Sequence, residues 1–334
     1  MHKKGDRKVV SNYRPISLTS NLAKILEKIV KKRLTAFLDK FKILSPNQYG
    51  FQKNLSTQNA VADLITALTL EIENGNSPIL VLLDIEKAFD TITHDKLLEK
   101  LEFIGIRGVA LKWFKSYLNN RKQRVTIGDV ISDLMLCTIG LPQGTVLSPL
   151  LFLIYVNELC QMRLEGSIFS FADDTALLVS AKNWDEAFRL ASSEISKVYN
   201  WLKDNNMKMH TLKTNYITFS AYDSGQPNSS TMLKLHDRPV NLIACASNTC
   251  TTCSILNKVK DAKYLGVQID QHVRWDARTK KLNKKIRSFA FFFKTISKFA
   301  SMSMLRTVYY ALVQSLLQYC IVVWAVPVAN TLTL

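Results

Sequence analysis

The sequence predicts a mixed α+β fold in which helices pack on an antiparallel sheet. Two apolar runs flank Asp173 and Asp174, which indicates a β-hairpin with both carboxylates at its turn. Further upstream, the apolar run from Ile79 to Leu83 ends in Asp84 and is typical of a buried strand. Several longer segments repeat apolar residues every three or four positions, as amphipathic helices do.

The three carboxylates are expected to meet at one end of this sheet. Adjacent aspartates at a tight turn repel each other unless a cation or a nearby Lys or Arg neutralises them. Aspartate is also common in turns for its side-chain hydrogen bonds, which is the alternative for Asp173 and Asp174 taken alone. Pairing of the upstream strand beside the hairpin would bring in Asp84, and carboxylate oxygens suit Mg²⁺. Two such ions about 4 Å apart stabilise in-line phosphoryl transfer, so the pattern predicts nucleotidyl transfer.

The remaining elements are predicted from apolar spacing and from turn residues, including helix breaks at Gly105 and Gly108. The predicted helices lie at 22–41, 61–72, two between 95 and 118, 147–159, 184–202, 282–299 and 305–323. The further predicted strands lie at 125–127, in a hairpin over 207–209 and 213–219, in a weak hairpin at 232–235, and at 263–270.

Composition and charge favour a nucleic-acid-binding protein. The chain has 334 residues, 47% of them apolar, which is enough for more than one subdomain core. It carries 44 Lys and Arg against 27 Asp and Glu, a net charge of +17. A generically basic soluble protein is the alternative. Because neither a signal peptide nor a membrane-length apolar run is visible, we expect a nuclear or cytoplasmic protein that is not secreted and does not bind membranes.

The six cysteines do not form a disulfide framework in a chain of this length, so reduced thiols are expected. Only Cys245, Cys250 and Cys253 are clustered. A zinc site needs about four ligands, and the histidines nearest in sequence show no recognised spacing. The segment is therefore interpreted as a polar loop with incidental cysteines, with zinc as the alternative.

Several segments resemble the motifs of reverse transcriptases. Their sequences are most similar to those of non-LTR (LINE-type) retrotransposons of the jockey clade. The A, B and C motifs are matched by LDIEKAFD at 83–90, GLPQGTVLSP at 140–149 and FADD at 171–174. The finger motifs and the start of the primer-grip region are matched by NYRPISL at 12–18, QYGF at 48–51 and YLGV at 264–267. The motifs follow the family order from about His2 to Trp324.

This resemblance implies a right-hand polymerase fold. The fingers would occupy residues 1–78, truncated at the N-terminus because the strand that precedes residue 12 in relatives is missing. The palm, an antiparallel sheet with helices, would occupy 79–270 with a polar insertion at about 220–257. A helical thumb at 271–324 and a tail at 325–334 would follow.

The resemblance also implies the catalytic residues. Asp84, Asp173 and Asp174 would hold two Mg²⁺ ions, or Mn²⁺ in their place. Lys213 matches the motif D lysine, which protonates the leaving pyrophosphate or holds the triphosphate; a solvated lysine is the alternative. Phe89 stands where the family places a bulky side chain beneath the sugar, which favours dNTPs because a 2′-hydroxyl would clash; core packing is the alternative.

Other binding residues are implied by their motif positions. Gln143 and Gly144 would lie under the nascent base pair. Arg14 and Lys53 are assigned to the triphosphate, although the family usually carries an Arg where this chain has Gln52 followed by Lys53. The residues assigned to the primer and template are Tyr264, Leu265, Gly266, Lys280, Lys281, Lys284 and Lys285.

The expected reaction is addition of a dNTP to a primer 3′-hydroxyl opposite an RNA template. The partners would be an RNA template, a DNA primer or target DNA, and dNTPs, while the oligomeric state stays open. The endonuclease and cysteine-rich regions of relatives do not fit in this chain. The alternatives are a catalytically inactive nucleic-acid-binding remnant, an RNA-dependent RNA polymerase, disfavoured by Phe89, and a purely structural basic protein.

Overall fold

The structure is a computed structural model that describes most of the chain. The described residues are 2, 6, 8–9, 12–13, 15–228, 230–236 and 253–324. Three predicted assignments lie outside the described residues: Arg14, Cys245 with Cys250, and the tail at 325–334.

Two compact units are present. Unit 1 contains Met1–Lys53, Ile85–Arg163 and Val198–His210, and unit 2 contains Asn54–Asp84, Leu164–Lys197 and Thr211–Leu334. The division into fingers, palm and thumb stays a prediction.

The helices begin close to where the apolar spacing places them. In chain order they are α1 Asn21–Lys40, α2 Thr57–Glu73, α3 His94–Phe103, α4 Gly108–Leu118, α5 Ser148–Cys160, α6 Trp184–Asp204, α7 Asp276–Ile296, α8 Met302–Tyr309, α9 Ser315–Gln318 and α10 Ile321–Trp324. Among the described residues, no helix combines the length and hydropathy needed to cross a bilayer.

The strands follow the same numbering. They are β1 Ser77–Leu83, β2 Lys122–Gln123, β3 Thr126–Ile127, β4 Val130–Ile131, β5 Met135–Leu136, β6 Ser167–Phe171, β7 Asp174–Ala181, β8 Asn215–Thr218, β9 Lys234–Leu235, β10 Ser254–Ile255, β11 Asn257–Lys258, β12 Asp261–Tyr264 and β13 Val267–Asp270.

Unit 2 is built on a five-stranded sheet with the order β11-β8-β1-β7-β6. β1 lies at its centre and pairs antiparallel with β7 on one side and β8 on the other. Its residues Ile79, Leu80 and Val81 have no exposed surface, as expected of a strand covered on both faces. The prediction that this strand lies beside the β6–β7 hairpin is confirmed.

Unit 1 is organised around α5, whose apolar side chains are buried on all sides. The segment after α1 is tied to the C-terminal end of this helix by polar contacts. The backbone N–H of Ser45 donates to Asn157 Oδ1 (2.8 Å), and Asn157 Nδ2 donates to the carbonyl of Ile43 (2.9 Å). Ser45 Oγ also donates to the carbonyl of Cys160 (3.0 Å). These bonds satisfy groups that would otherwise be buried without partners.

Two predicted strand arrangements are wrong. Residues 207–209 and 213–219 do not form a hairpin: Met209 makes a single bridge to Ile85, and β8 pairs with β1 instead. The open edge of β1 offers β8 a longer apolar strand to pair with than the three residues 207–209 would. Residues 263–270 are not one strand, because Leu265 and Gly266 adopt φ of 43° and 88° and turn the chain between β12 and β13.

The C-terminal segment predicted as one helix is also broken. A π-helical turn, Tyr310–Gln314, separates α8 from α9, and Cys320 has a φ of 55°. The carbonyl of Tyr319 accepts from Arg278 Nη2 (2.8 Å) and Trp324 Nε1 (2.9 Å) rather than from a continuing helix. These two side-chain donors hold the turn between α9 and α10.

Candidate active site

The register of β1 and β7 brings two of the predicted carboxylates together. Leu83, the last residue of β1, pairs with Thr175. Because the strands are antiparallel, the next residue, Asp84, lies opposite the preceding residue, Asp174. Directly opposed side chains on neighbouring antiparallel strands have Cβ atoms about 4.5–5.5 Å apart. The pairing of the two apolar strands therefore brings the side chains of Asp84 and Asp174 to neighbouring positions.

The hairpin turn supplies the third carboxylate. Phe171 pairs with Asp174, which leaves Ala172 and Asp173 as a two-residue turn between β6 and β7. Ala172 is buried and has a φ of 58°, a left-handed conformation that favours glycine and costs about 1–3 kcal/mol in another residue. Ser170 Oγ donates to the carbonyl of Ala172 (3.3 Å) and braces the turn. The strained turn presents Asp173 to solvent beside Asp174.

The electrostatics show that these carboxylates interact unfavourably. The pKa of Asp174 is raised, first by partial burial of its carboxylate and then by the charges of Asp173 and Asp84. Lys263 lowers the same pKa and offsets part of this effect. Although Asp174 reaches solvent, the surrounding protein partly desolvates it. Negative charge therefore accumulates at this edge of the sheet.

The donor chemistry fits a divalent cation. Mg²⁺ and Mn²⁺ prefer carboxylate oxygens, and either ion would relieve the repulsion that raises the pKa of Asp174. Within the described part of the chain, however, no three His, Cys, Asp or Glu side chains converge closely enough to hold one ion. Asp84, Asp173 and Asp174 are thus adjacent in unit 2 without forming a closed ligand cage.

A polar cavity of about 340 Å³ opens beside Asp84 and Asp174. Lys213, the predicted motif D lysine, lines it. The cavity is also lined by polar side chains that the sequence analysis did not assign, namely Asn215, Asp261, Lys263 and Gln268. The one sequence signal for Lys263 was its place directly before the matched YLGV motif. The position of Lys263 near the carboxylates depends on the fold of the β12–β13 hairpin.

The predicted nucleotide residues of motif B lie in unit 1 and are held by hydrogen bonds. Gln143 Nε2 donates to Asp90 Oδ1 (2.9 Å), and the carbonyl of Gln143 accepts from the backbone N–H of Ser17 (2.8 Å). Gly144 has a φ of 92°, a conformation that other residues adopt only with strain. These contacts fix the loop in which Gln143 and Gly144 lie.

Phe89 belongs to the same unit. Its ring stacks on that of Phe152 in α5, with centroids 4.5 Å apart and planes 18° from parallel. The carbonyl of Phe89 accepts from the backbone N–H of Leu141 (2.8 Å), which joins motif A to the motif B loop. Phe89 is half-buried. The ring is held in place, and part of its surface stays accessible.

The predicted primer-binding residues are divided between the core and the surface of unit 2. Tyr264 is buried and its hydroxyl donates to the carbonyl of Phe169 (3.0 Å), so a contact at this motif would come from the Leu265–Gly266 turn. Lysines are exposed along α7, at Lys280, Lys281, Lys284 and Lys285. Lys281 Nζ donates to Gln268 Oε1 (2.5 Å), which links α7 to the polar cavity. Lys53 is exposed in unit 1.

Comparison with known proteins identifies the family. The family model described as reverse transcriptase (RNA-dependent DNA polymerase) matches residues 1–269. The chain therefore belongs to the reverse transcriptase family, and this confirms the α+β fold class of the right-hand polymerases predicted above.

Individual relatives agree with the predicted resemblance to non-LTR elements. The probable RNA-directed DNA polymerase from transposon BS of Drosophila melanogaster is 26% identical over 299 residues, covering 85% of this chain and 30% of that protein. The RNA-directed DNA polymerase from the mobile element jockey of the same species is 27% identical over 238 residues, covering 69% of this chain and 26% of that protein. A solved apo telomerase from Candida tropicalis aligns at 12% identity over 75% of this chain and 40% of its own, with a TM-score of 0.47. The chain spans less than a third of the length of these two curated relatives.

Proposed function

We propose that this chain is the polymerase region of a non-LTR retrotransposon reverse transcriptase, which adds dNTPs to a primer 3′-hydroxyl opposite an RNA template. The observation that carries the proposal is the β1–β7 register, which aligns Asp84 with Asp174 beside Asp173. Partial burial, followed by the charges of Asp173 and Asp84, raises the pKa of Asp174 and disfavours the ionised site. Lys263 offsets only part of that repulsion, and binding of divalent cations would offset the rest.

Asp84, Asp173 and Asp174 would hold two Mg²⁺ ions, or Mn²⁺. When bound, such ions neutralise the charge that develops on the attacking and leaving oxygens. The role of the protein is then to keep the three carboxylates at a fixed spacing. The buried apolar residues of β1 and β7 and the braced turn at Ala172 support that role, because they leave the carboxylates little freedom to move apart.

Lys213 and Lys263 would act on the phosphates. Both line the cavity beside Asp84 and Asp174, where an ammonium group can bind an anionic triphosphate. Lys213 would also hold a proton at Nζ and transfer it to the leaving pyrophosphate. Lys263 would remain charged and offset the repulsion around Asp174.

Gln143 and Phe89 would select and orient the nucleotide. Asp90 accepts from Gln143 Nε2, which turns the side-chain oxygen Oε1 of Gln143 away from Asp90, and Oε1 would accept from a base or sugar donor. The ring of Phe89, held against Phe152, would exclude a 2′-hydroxyl and favour dNTPs. Exposed lysines on α7 would contact phosphates of the template–primer duplex.

The test is incorporation of dNTPs on an RNA template with an annealed DNA primer in Mg²⁺. We expect synthesis by the wild type, its loss in Asp173→Ala, and normal synthesis by Asp129→Asn, which changes an exposed aspartate in the β3–β4 turn. Folding and duplex binding are measured for each variant. Duplex binding without synthesis by folded wild type would refute the proposal and indicate an inactive remnant. Efficient rNTP incorporation would indicate an RNA polymerase instead.

A further inference from the structure

Glu27 is a carboxylate buried in the interior of unit 1. It lies on α1 with only 2% of its surface exposed. Its Oε2 accepts from the backbone N–H groups of Val146 (2.7 Å) and Leu147 (3.2 Å), and its Oε1 accepts from the Tyr117 hydroxyl (3.1 Å). Burial and the Glu27 charge raise the pKa of Tyr117, so its hydroxyl stays protonated and continues to donate.

The two backbone donors come directly before α5, because Leu147 is the N-cap residue of this helix and Val146 precedes it. The first N–H groups of a helix have no partners within the helix, and they form its positive end. Leu147, the N-cap residue of α5, has no side chain that can accept from them. Glu27 pairs with the backbone just before the helix, which places its negative charge near the positive end of α5 although Glu27 is distant in sequence. Hydrogen bonds from N–H groups to an ionised acceptor are about twice as strong as those to a neutral one.

The segment capped in this way is the end of the motif B loop. At its beginning, the N–H of Gly140 donates to the carbonyl of Ile92 (2.7 Å). In its middle, Gln143 is held by Asp90. The last part, from Gly144 to α5, is held to α1 by Glu27 and within itself by Thr145 Oγ1, which donates to the carbonyl of Pro142 (3.2 Å) and lies 2.6 Å from Ser148 Oγ. Without Glu27 this part of the loop would lose its anchor to α1.

We propose that Glu27 is a positioning residue that fixes the Gln143–Gly144 turn against the start of α5 and thereby sets the affinity for the incoming nucleotide. The inference rests on the proposed function, in which this turn faces the nascent base pair. Glu27 does not touch substrate. Its effect is specific for nucleotide binding, because the thumb lysines that would hold the duplex lie on a separate helix, α7.

Three substitutions separate this role from general stabilisation. Glu27→Gln keeps the shape and one acceptor oxygen but removes the charge. Glu27→Leu removes both acceptors and leaves the N–H groups of Val146 and Leu147 unpaired. Tyr117→Phe is the comparison variant, because it deletes a hydrogen bond to the same carboxylate and a hydrogen bond to the Thr145 side chain, but leaves the N–H groups of Val146 and Leu147 with their acceptor.

The first measurement is amide hydrogen exchange, which needs no activity. For Glu27→Gln we expect exchange at Val146 and Leu147 to be about fivefold faster, and for Glu27→Leu faster still. Tyr117→Phe should remain within about twofold of wild type. Unchanged exchange at these amides in Glu27→Gln, or equal acceleration in Tyr117→Phe, would overturn the inference.

The second measurement is kinetic. For Glu27→Gln we expect the KM for dNTP to rise about fivefold, with kcat and duplex Kd within about twofold of wild type. Equal losses in duplex affinity and nucleotide affinity would show a merely structural role and refute the inference.

If the folded wild type makes no product, the proposed function fails. Equilibrium binding of a fluorescent dNTP analogue to the protein–duplex complex then replaces KM, and an affinity unchanged by Glu27→Gln would refute the inference separately.

Discussion

Replacing Asp174 with Asn is expected to stabilise the metal-free protein and to weaken its response to Mg²⁺. The substitution keeps the size of the side chain and removes one of three neighbouring negative charges. Partial burial, and after it the charges of Asp173 and Asp84, raises the pKa of Asp174, so the ionised form is disfavoured there. An amide at this position removes that repulsion but is a poorer ligand for a divalent cation.

The expected gain in the free energy of unfolding equals the lost repulsion between neighbouring carboxylates. The Cβ spacing of opposed strand residues, about 5 Å, is taken as the separation of the charges. Two unit charges about 5 Å apart repel by roughly 1 kcal/mol in water and roughly 3 kcal/mol at an effective dielectric constant of 20. Because Asp174 reaches solvent, screening favours the lower value, about 1 kcal/mol. For a protein larger than 250 residues, this corresponds to a rise in Tm of roughly 2 °C in EDTA. At ten times its Kd, Mg²⁺ should stabilise the wild type by about 1.4 kcal/mol.

The assay is thermal unfolding in EDTA and in increasing Mg²⁺, with Asp129→Asn as the control for loss of an exposed carboxylate. We expect the Asp174→Asn variant to unfold at higher temperature than wild type in EDTA and at nearly the same temperature in saturating Mg²⁺. The control should follow wild type in both conditions. A lower Tm of Asp174→Asn in EDTA, together with an undiminished Mg²⁺ response, would refute the electrostatic reasoning.

Three further predictions concern other residues. Phe89→Ala should reduce the preference for dNTPs over rNTPs by about tenfold or more in single-nucleotide incorporation, because the ring no longer excludes a 2′-hydroxyl; an unchanged ratio would contradict this role. Lys263→Met should raise the KM for dNTP while duplex Kd stays constant, since the cavity beside the carboxylates loses a cation; an equal loss of duplex affinity would count against it. Asn157→Leu should destabilise the protein by about 1–3 kcal/mol in urea unfolding, because the buried N–H of Ser45 loses its acceptor. A change below about 0.5 kcal/mol would show that this N–H finds another partner.

The arrangement of the three aspartates could be predicted from local patterns. A wholly apolar strand such as β1 must be covered on both faces, and a hairpin with apolar strands is its natural neighbour. Once Leu83 pairs with Thr175, the positions of Asp84 and Asp174 follow from antiparallel geometry. The boundaries of the flanking helices were predictable for a similar reason, because glycines and N-cap residues mark them locally.

The placement of Lys263 and of β8 could not be predicted in this way. β8 occupies the open edge of β1, whereas Lys263 lies on β12 in the β12–β13 hairpin. The positions of β8 and of this hairpin are set by packing between segments far apart in sequence. A short apolar segment can pair locally or add to an existing sheet, and its periodicity is the same in both cases. The sequence shows Lys263 directly before the YLGV motif, but no local pattern indicates that it lines the cavity beside the carboxylates.

Helix α1 shows why periodicity can indicate the wrong face. Leu22, Leu26 and Ile29 recur at the spacing that is typical of a buried helix face, yet they are 80%, 49% and 50% exposed, whereas Glu27 is buried. Apolar burial contributes roughly 1.5–3 kcal/mol for a large side chain, but unpaired N–H groups at the start of a buried helix cost about 1–3 kcal/mol each. A carboxylate that pairs with two such groups at once offsets the loss of apolar contact. The orientation of α1 thus allows Glu27 to accept from the N–H groups just before α5. No local sequence pattern in α1 indicates this long-range contact.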